Sequence, residues 1–246
     1  MRGLHLDMAA MHWDIQRRHL AAARMHAAHA DRLAAWAAGR VARAPKFMSA
    51  VAATVGARHV GVSLVLEGRV EAVTVSSGPV AAAAQDAEFT LGEGPVHDVT
   101  SAGVLLVADE PALRRRWPRF APAVAGFGVR AVASAPLRTG TACLGALTVF
   151  DPPADPGQSA RTLCTVADAL VHSALLVPDG ADPLDVPLLD GADLHAVVHQ
   201  ASGMVAEQLG CGAADALVVL RARAFGDGKP LAVIADEVVS RGLRLG

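Results

Sequence analysis

No proline interrupts the first 44 residues, and alanine is plentiful there, so the chain opens on one long helix that Pro45 stops. Leu4, Met8, Met11, Ile15, Ala22 and Met25 follow alternating spacings of four and three, broken by Arg18, which lays an apolar stripe along one side. A lone helix of this length cannot bury that stripe on itself, so a partner helix, from a second subunit for instance, is its natural cover. His5, His12, His19 and His26 recur every seven residues beside the stripe. Metal ligation needs histidines four apart converging on one ion, so this column reads as a solvated or interface-edge face.

Charge is uneven along the chain. Residues 1–46 hold eight Lys/Arg against three Asp/Glu, residues 47–189 nine against fourteen, and residues 190–246 five against seven. The net charge of −2 gives no global sign of a polyanion-binding protein. Cys143, Cys164 and Cys211 are too far apart for paired-cysteine chemistry and suit a reducing compartment. No signal-peptide pattern opens the chain and no uncharged run reaches the ~18 residues of a membrane helix, so the expectation is a cytoplasmic protein with no membrane partner.

From Lys46 the pattern changes. Phe47 to Val55 reads as a short helix, then residues 60–68 and 70–77 as two β-rich runs around a Gly68-Arg69 turn. Residues 79–88 read as helical, and 104–109, 130–138 and 143–151 as three more strands, the last two separated by Thr139-Gly140. Residues 157–176 form an amphipathic helix. Antiparallel strand pairs between helices describe an α+β domain with one antiparallel sheet, over 45–176. The segment 177–191, rich in proline and aspartate, has linker composition.

Three helices follow, an all-α unit over 192–246. The first, 192–209, sets Leu194, Val197, Val198, Ala201, Val205 and Leu209 on one face; the second, 213–225, aligns Ala213, Ala216, Leu217, Leu220 and Ala224. Pro230 starts the third, where Leu231, Ile234, Ala235 and Val238 face inward and Gly242 ends it. Gly203 stands out, because an interior helical glycine costs roughly 0.5–1 kcal/mol relative to alanine. At 100° per residue it lies opposite the Leu194–Ala201–Val205 face, among Ala196, His199 and Ala206. A bare outward position admits the close approach of another backbone, either a partner helix or a nucleic acid.

Two stretches resemble a known family. Residues 89–110 and 115–160 carry GEGP, RWP followed by Phe120, GVRA, PLR and LGAL in order. Residues 199–245 carry Ala201, Gly203 and Met204, then Ala216, Leu217, Leu220, Arg221, Ala222 and Ala224, then Leu231, Ala235, Val238 and Val239. The chain is similar to actinobacterial signalling proteins in which a GAF domain precedes an ANTAR domain. That resemblance implies a small-molecule sensor joined to a module that captures paired RNA hairpins, usually as a dimer, and acts in transcription antitermination. It implies that Gly203 and Met204 lie at the RNA and that Arg221, Arg223, Lys229, Arg241 and Arg244 neutralise phosphates. Hairpin loops are suitable targets because their unstacked bases offer readable edges.

The terminal domain departs from this picture in its seven acids against five bases, its single aromatic, Phe225, and its short first helix. The basic segment 1–46 supplies further positive charge if it folds near the terminal domain; a solvated dimer helix is the other reading. On the sensor side, Glu93, Asp98, Arg116 and Trp117 are loop residues that could line a pocket; Trp117 as core, and Arg116 paired with Asp109 or Glu110, are equally good readings. The residues assign no cofactor, cyclic nucleotide, haem or metal, and His97 is the one weak candidate ligand. Neither nucleophile-elbow, P-loop, zinc nor dinucleotide motifs are present, and at GEGP a phosphate would face Glu93 with no helix of the right type following, so catalysis is not expected. The competing function is a signalling interaction module whose terminal helices bind a protein partner; a pure small-molecule binder is a third.

Overall fold

The computed structural model describes residues 2–65, 71–153, 156–175, 187–189, 192–193 and 195–245. The first helix, α1, runs Arg2–Ala37, seven residues shorter than expected; a turn then leads through Pro45 to α2 (Phe47–Val55). The strands are β1 (His59–Val65), β2 (Glu71–Ser76), β3 (Leu106–Ala108), β4 (Val132–Thr139) and β5 (Ala142–Phe150). They form one antiparallel sheet in the order β2-β1-β5-β4-β3. The expected Gly68-Arg69 turn lies outside the described residues. The β4–β5 hairpin pairs Thr139 with Ala142, so its turn is Gly140-Thr141, one residue later than expected.

Alternation along the strands fills two cores. Val60, Val62, Ala133, Ala135, Leu147 and Val149 point to the side covered by α1, α2 and α7 (Pro156–Leu170). Val132, Ala146 and Phe150 point to the opposite side, covered by α3 (Pro79–Leu91), α4 (Pro95–Ala102), α5 (Glu110–Arg116) and α6 (Phe120–Ala125). On that side Ser134 and Thr148, paired across β4 and β5, hydrogen-bond each other at 2.8 Å. Gly61 makes room for α3: a Cβ there would stand 2.6 Å from Cδ of Gln85 and force that side chain to shift. The buried Gln85 amide donates to the Val62 carbonyl and to Ser63 Oγ at 2.9 and 3.2 Å.

Helices α4, α5 and α6 are short and were not read from the sequence. A helix does follow GEGP, α4, which begins at Pro95. Its first amides are already taken, because the buried Glu88 carboxylate accepts from Val96 N at 2.6 Å and His97 N at 3.2 Å. Beyond α7 the chain loosens into a π-type turn at Val171–Leu175. Most of 177–191 lies outside the described residues, but Leu188 is buried in the core under α2 and α7.

The three-helix unit comprises α8 (Ala196–Leu209), α9 (Ala213–Asp227) and α10 (Leu231–Arg241). Its core holds Val198, Ala201, Val205, Ala216, Leu217, Leu220, Ala224, Leu231, Ile234, Ala235 and Val238, nearly the expected set. Leu209 and Ala213 are exposed instead, because they flank the α8–α9 turn, where Ser202 Oγ donates to the Ala213 carbonyl at 2.6 Å. Helix α8 starts four residues later than expected: Asp193 is held antiparallel to Thr74 of β2, and His195 turns the chain at φ 43°. Leu194 lies outside the described residues.

Candidate nucleic-acid interface and its contact with the sheet domain

Gly203 sits on the exposed side of α8, and a Cβ built on it meets no atom within 4 Å. Met204 beside it is half-buried against the helical core. On α9 an exposed apolar pair follows at a spacing of seven, Val218 at 60% and Phe225 at 78% exposed. A ring so uncovered offers one full face for stacking a base. Sequence reasoning counted Phe225 only as a solitary aromatic; its absence from the α9 core pattern was the available signal of exposure.

The five candidate cations are placed unequally. Arg223 pairs with Asp227 and Lys229 with Glu237, each at 2.8 Å and near the surface, where such pairs exchange readily with a phosphate. Arg241 closes α10, Arg244 lies in the tail that follows, and both are exposed. Leu245 beyond them is buried, its amide donating to Gln208 Oε1 at 3.2 Å, so the tail is folded back on α8.

Arg221 differs. Its Nε donates to the carbonyl of Phe89 on α3 at 2.8 Å, and its guanidinium carbon stands 5.4 Å from the Phe89 ring centroid. Phe89 is itself part of the three-helix core. The Phe89 ring also stacks on the His195 ring, 3.9 Å between centroids and 4° from parallel, and meets the His199 ring edge-on. His195 is buried, with its Nε2 lacking a partner among the described residues. Burial holds its pKa below the ordinary value, reinforced by His199 and Arg221 and opposed by Asp193 and Asp86. Partial burial pushes the Asp86 carboxyl up, with Asp193 adding and His195 opposing.

Each of the four sensor-side candidates makes defined contacts within the sheet domain. Glu93 accepts from the amides of Arg119 and Phe120 at the start of α6, the latter at 2.9 Å, and also pairs with the Arg119 side chain. Trp117 is core, 2% exposed. Arg116 pairs with Asp98 at 2.9 Å, rather than with Asp109 or Glu110, and Trp117 Nε1 donates to the same Asp98 oxygen at 3.3 Å. Asp109 caps α5 and Glu110 pairs with Arg114 and Arg130. Asp98 and Arg116 also line a surface depression of about 230 Å³ beside the edge strand β3. His97 is exposed, and no metal-holding cluster occurs among the described residues.

Fold and site together define a two-module chain: a five-stranded domain between two helical layers, with a three-helix unit docked on its α3. The chain matches the GAF domain family over residues 40–174 and the ANTAR domain over residues 192–239. The first match spans more than half of the chain, which therefore belongs to the GAF domain family and carries an ANTAR domain after it. Both are regulatory modules. No curated protein matches the chain. Among solved structures, a domain of a two-component sensor histidine kinase protein from Sinorhizobium meliloti 1021 is similar at 15% identity, covering 51% of this chain and 83% of that one with a TM-score of 0.41. Among the described residues, no single helix is long and apolar enough to cross a membrane.

Proposed function

We propose that this chain is a cytoplasmic, signal-responsive regulator whose GAF domain governs the capture of RNA hairpins by the ANTAR domain, with transcription antitermination as the output. The observation carrying this reading is the open face around Gly203, which spends helix stability on a surface that nothing among the described residues covers. Exposed Phe225 supplies a stacking platform, and Arg223, Lys229, Arg241 and Arg244 lie at the surface to meet phosphates. The GAF domain's ligand is a small molecule of unassigned class.

The protein acts as a homodimer on this reading. Leu4, Met8 and Met11 of the α1 stripe are exposed, while Met25 of the same stripe is buried under α2 and α7. The uncovered half suits the same half of a second copy, and sedimentation should give a dimer.

The test is titration of the full-length protein with a fluorescein-labelled RNA of two tandem stem-loops. Binding should weaken with salt, with a log–log slope no steeper than about −4.5 from five cations. No binding at low salt removes the proposal. A second reading, capture of a protein partner by the same helices, is favoured by the domain's seven acids against five bases and by exposed Val218. It wins if Gly203→Leu leaves RNA affinity intact and abolishes partner capture or dimerisation.

A further inference from the structure

We infer that α3 of the GAF domain is a latch on the RNA-binding surface: it holds Arg221 through the Phe89 carbonyl and ring, and so withholds that arginine from RNA until the two modules separate. The inference rests on the RNA-binding reading above and adds its regulation.

Three contacts converge on one side chain. Phe89 belongs to a GAF-domain helix, yet it is buried in the ANTAR core, with the His195 ring flat on it and the Arg221 guanidinium over it. Arg221 Nε is committed to the Phe89 carbonyl, so in the docked state the planar fork cannot present its full set of donors to a phosphate. The fit is close: a Cβ on Gly92, at the end of α3, would stand 3.0 Å from Arg221 Nη1. The start of α8 is fastened to the same domain by the two hydrogen bonds between Thr74 and Asp193, at 2.9 and 2.8 Å.

Helix α3 also reaches the interior of its own domain. Gln85 and Glu88 of the same helix bond the backbone of β1 and the first amides of α4. A change inside the sheet domain that displaces either side chain therefore moves Phe89, one residue from Glu88. The bistable element is the α3–α9 contact, and RNA and α3 compete for one guanidinium. If about nine molecules in ten are latched, apparent RNA affinity is reduced about tenfold.

The experiment uses the full-length chain as wild type, Phe89→Ala, His195→Asn and Phe89→Ala/Arg221→Ala, with the tandem stem-loop RNA as probe. Asparagine tolerates the left-handed backbone at 195 while removing the stacked ring, and it serves if Phe89→Ala fails to fold. Amide hydrogen exchange in α3 and α9 reports whether the contact has opened. The expected result is faster exchange and about tenfold tighter RNA binding in both single variants, with the gain lost when Arg221 is also removed. Equal, measurable affinity in wild type and both single variants overturns the latch and leaves the RNA reading standing. Unchanged exchange in both also overturns it, because Phe89 and His195 would then not hold the contact. No binding by any form removes the RNA reading, and the latch with it.

Discussion

Replacing Gly203 tests two properties of α8 with opposite signs. The residue is the eighth of fourteen in the helix, with ordinary helical backbone and open space around it. Gly203→Ala adds a methyl that clashes with nothing and restricts the unfolded chain, so the helix gains about 0.5–1 kcal/mol. For a small domain each 1 kcal/mol moves the midpoint by roughly 4–8 °C, so the ANTAR transition should rise by about 2–8 °C. If RNA backbone approaches that position, Gly203→Leu places four carbons in its path. A loss of at least tenfold in affinity follows, about 1.4 kcal/mol, without loss of fold. Circular dichroism at 222 nm reads the first effect and fluorescence anisotropy the second. A destabilised Gly203→Ala variant would mean that the face is covered in solution. Wild-type RNA affinity in Gly203→Leu would remove that face from the RNA interface.

Phe225→Ala should change stability by less than about 0.5 kcal/mol, because the ring is already in solvent, yet weaken RNA binding by about 1–3 kcal/mol if a base stacks there; equal affinities by anisotropy would refute the platform. Glu88→Ala strands the Val96 and His97 amides at the start of α4 and should cost about 1–3 kcal/mol in urea unfolding of the GAF domain; a midpoint and slope equal to wild type would refute its capping role. Acidification should loosen the His195 contact. Burial, His199 and Arg221 lower its pKa against the opposing Asp193 and Asp86, so below the ordinary 6.5 the unfolded chain binds a proton that the folded chain refuses. Stability is full above that pH and falls as pH drops through it. Asp86, with its pKa raised, acts in the other direction, gaining a proton in the folded state at lower pH. Thermal midpoints at about pH 7.5 and pH 5.5 should differ more in wild type than in His195→Asn; equal differences refute the assignment.

How much of this was legible in the sequence depended on the range of the forces involved. All five strands were placed to within a few residues, because Val60, Val62, Leu147 and Val149 alternate with Gly61, Thr148 and Phe150 at the period the pleat imposes. The outward setting of Gly203 followed from helical geometry alone. Helices α4 to α6 did not, because they have eight, seven and six residues, too few for a 3.6-residue period to declare itself. What determines α4 is instead the Glu88 carboxylate on its first amides, a contact made by a residue outside the helix.

The candidate site divides in the same way. Motif and periodicity place Arg221 on α9, one residue past the buried Leu220, and nothing local says what its guanidinium meets. Its partner, the Phe89 carbonyl, lies 132 positions earlier in the chain, at a residue just beyond the helix expected over 79–88. The ring completes the ANTAR core, in contact with the His195 ring and the Arg221 guanidinium. An arginine serving only RNA would gain nothing from being seated there, since the docked state engages its Nε and sets its guanidinium against the Phe89 ring. A purely structural arginine would not need to sit in the run of residues that the ANTAR resemblance assigns to RNA. One side chain answers both descriptions if the two uses alternate, and hydrogen bonds and cation–π contacts of the kind it makes to Phe89 are individually weak enough to exchange.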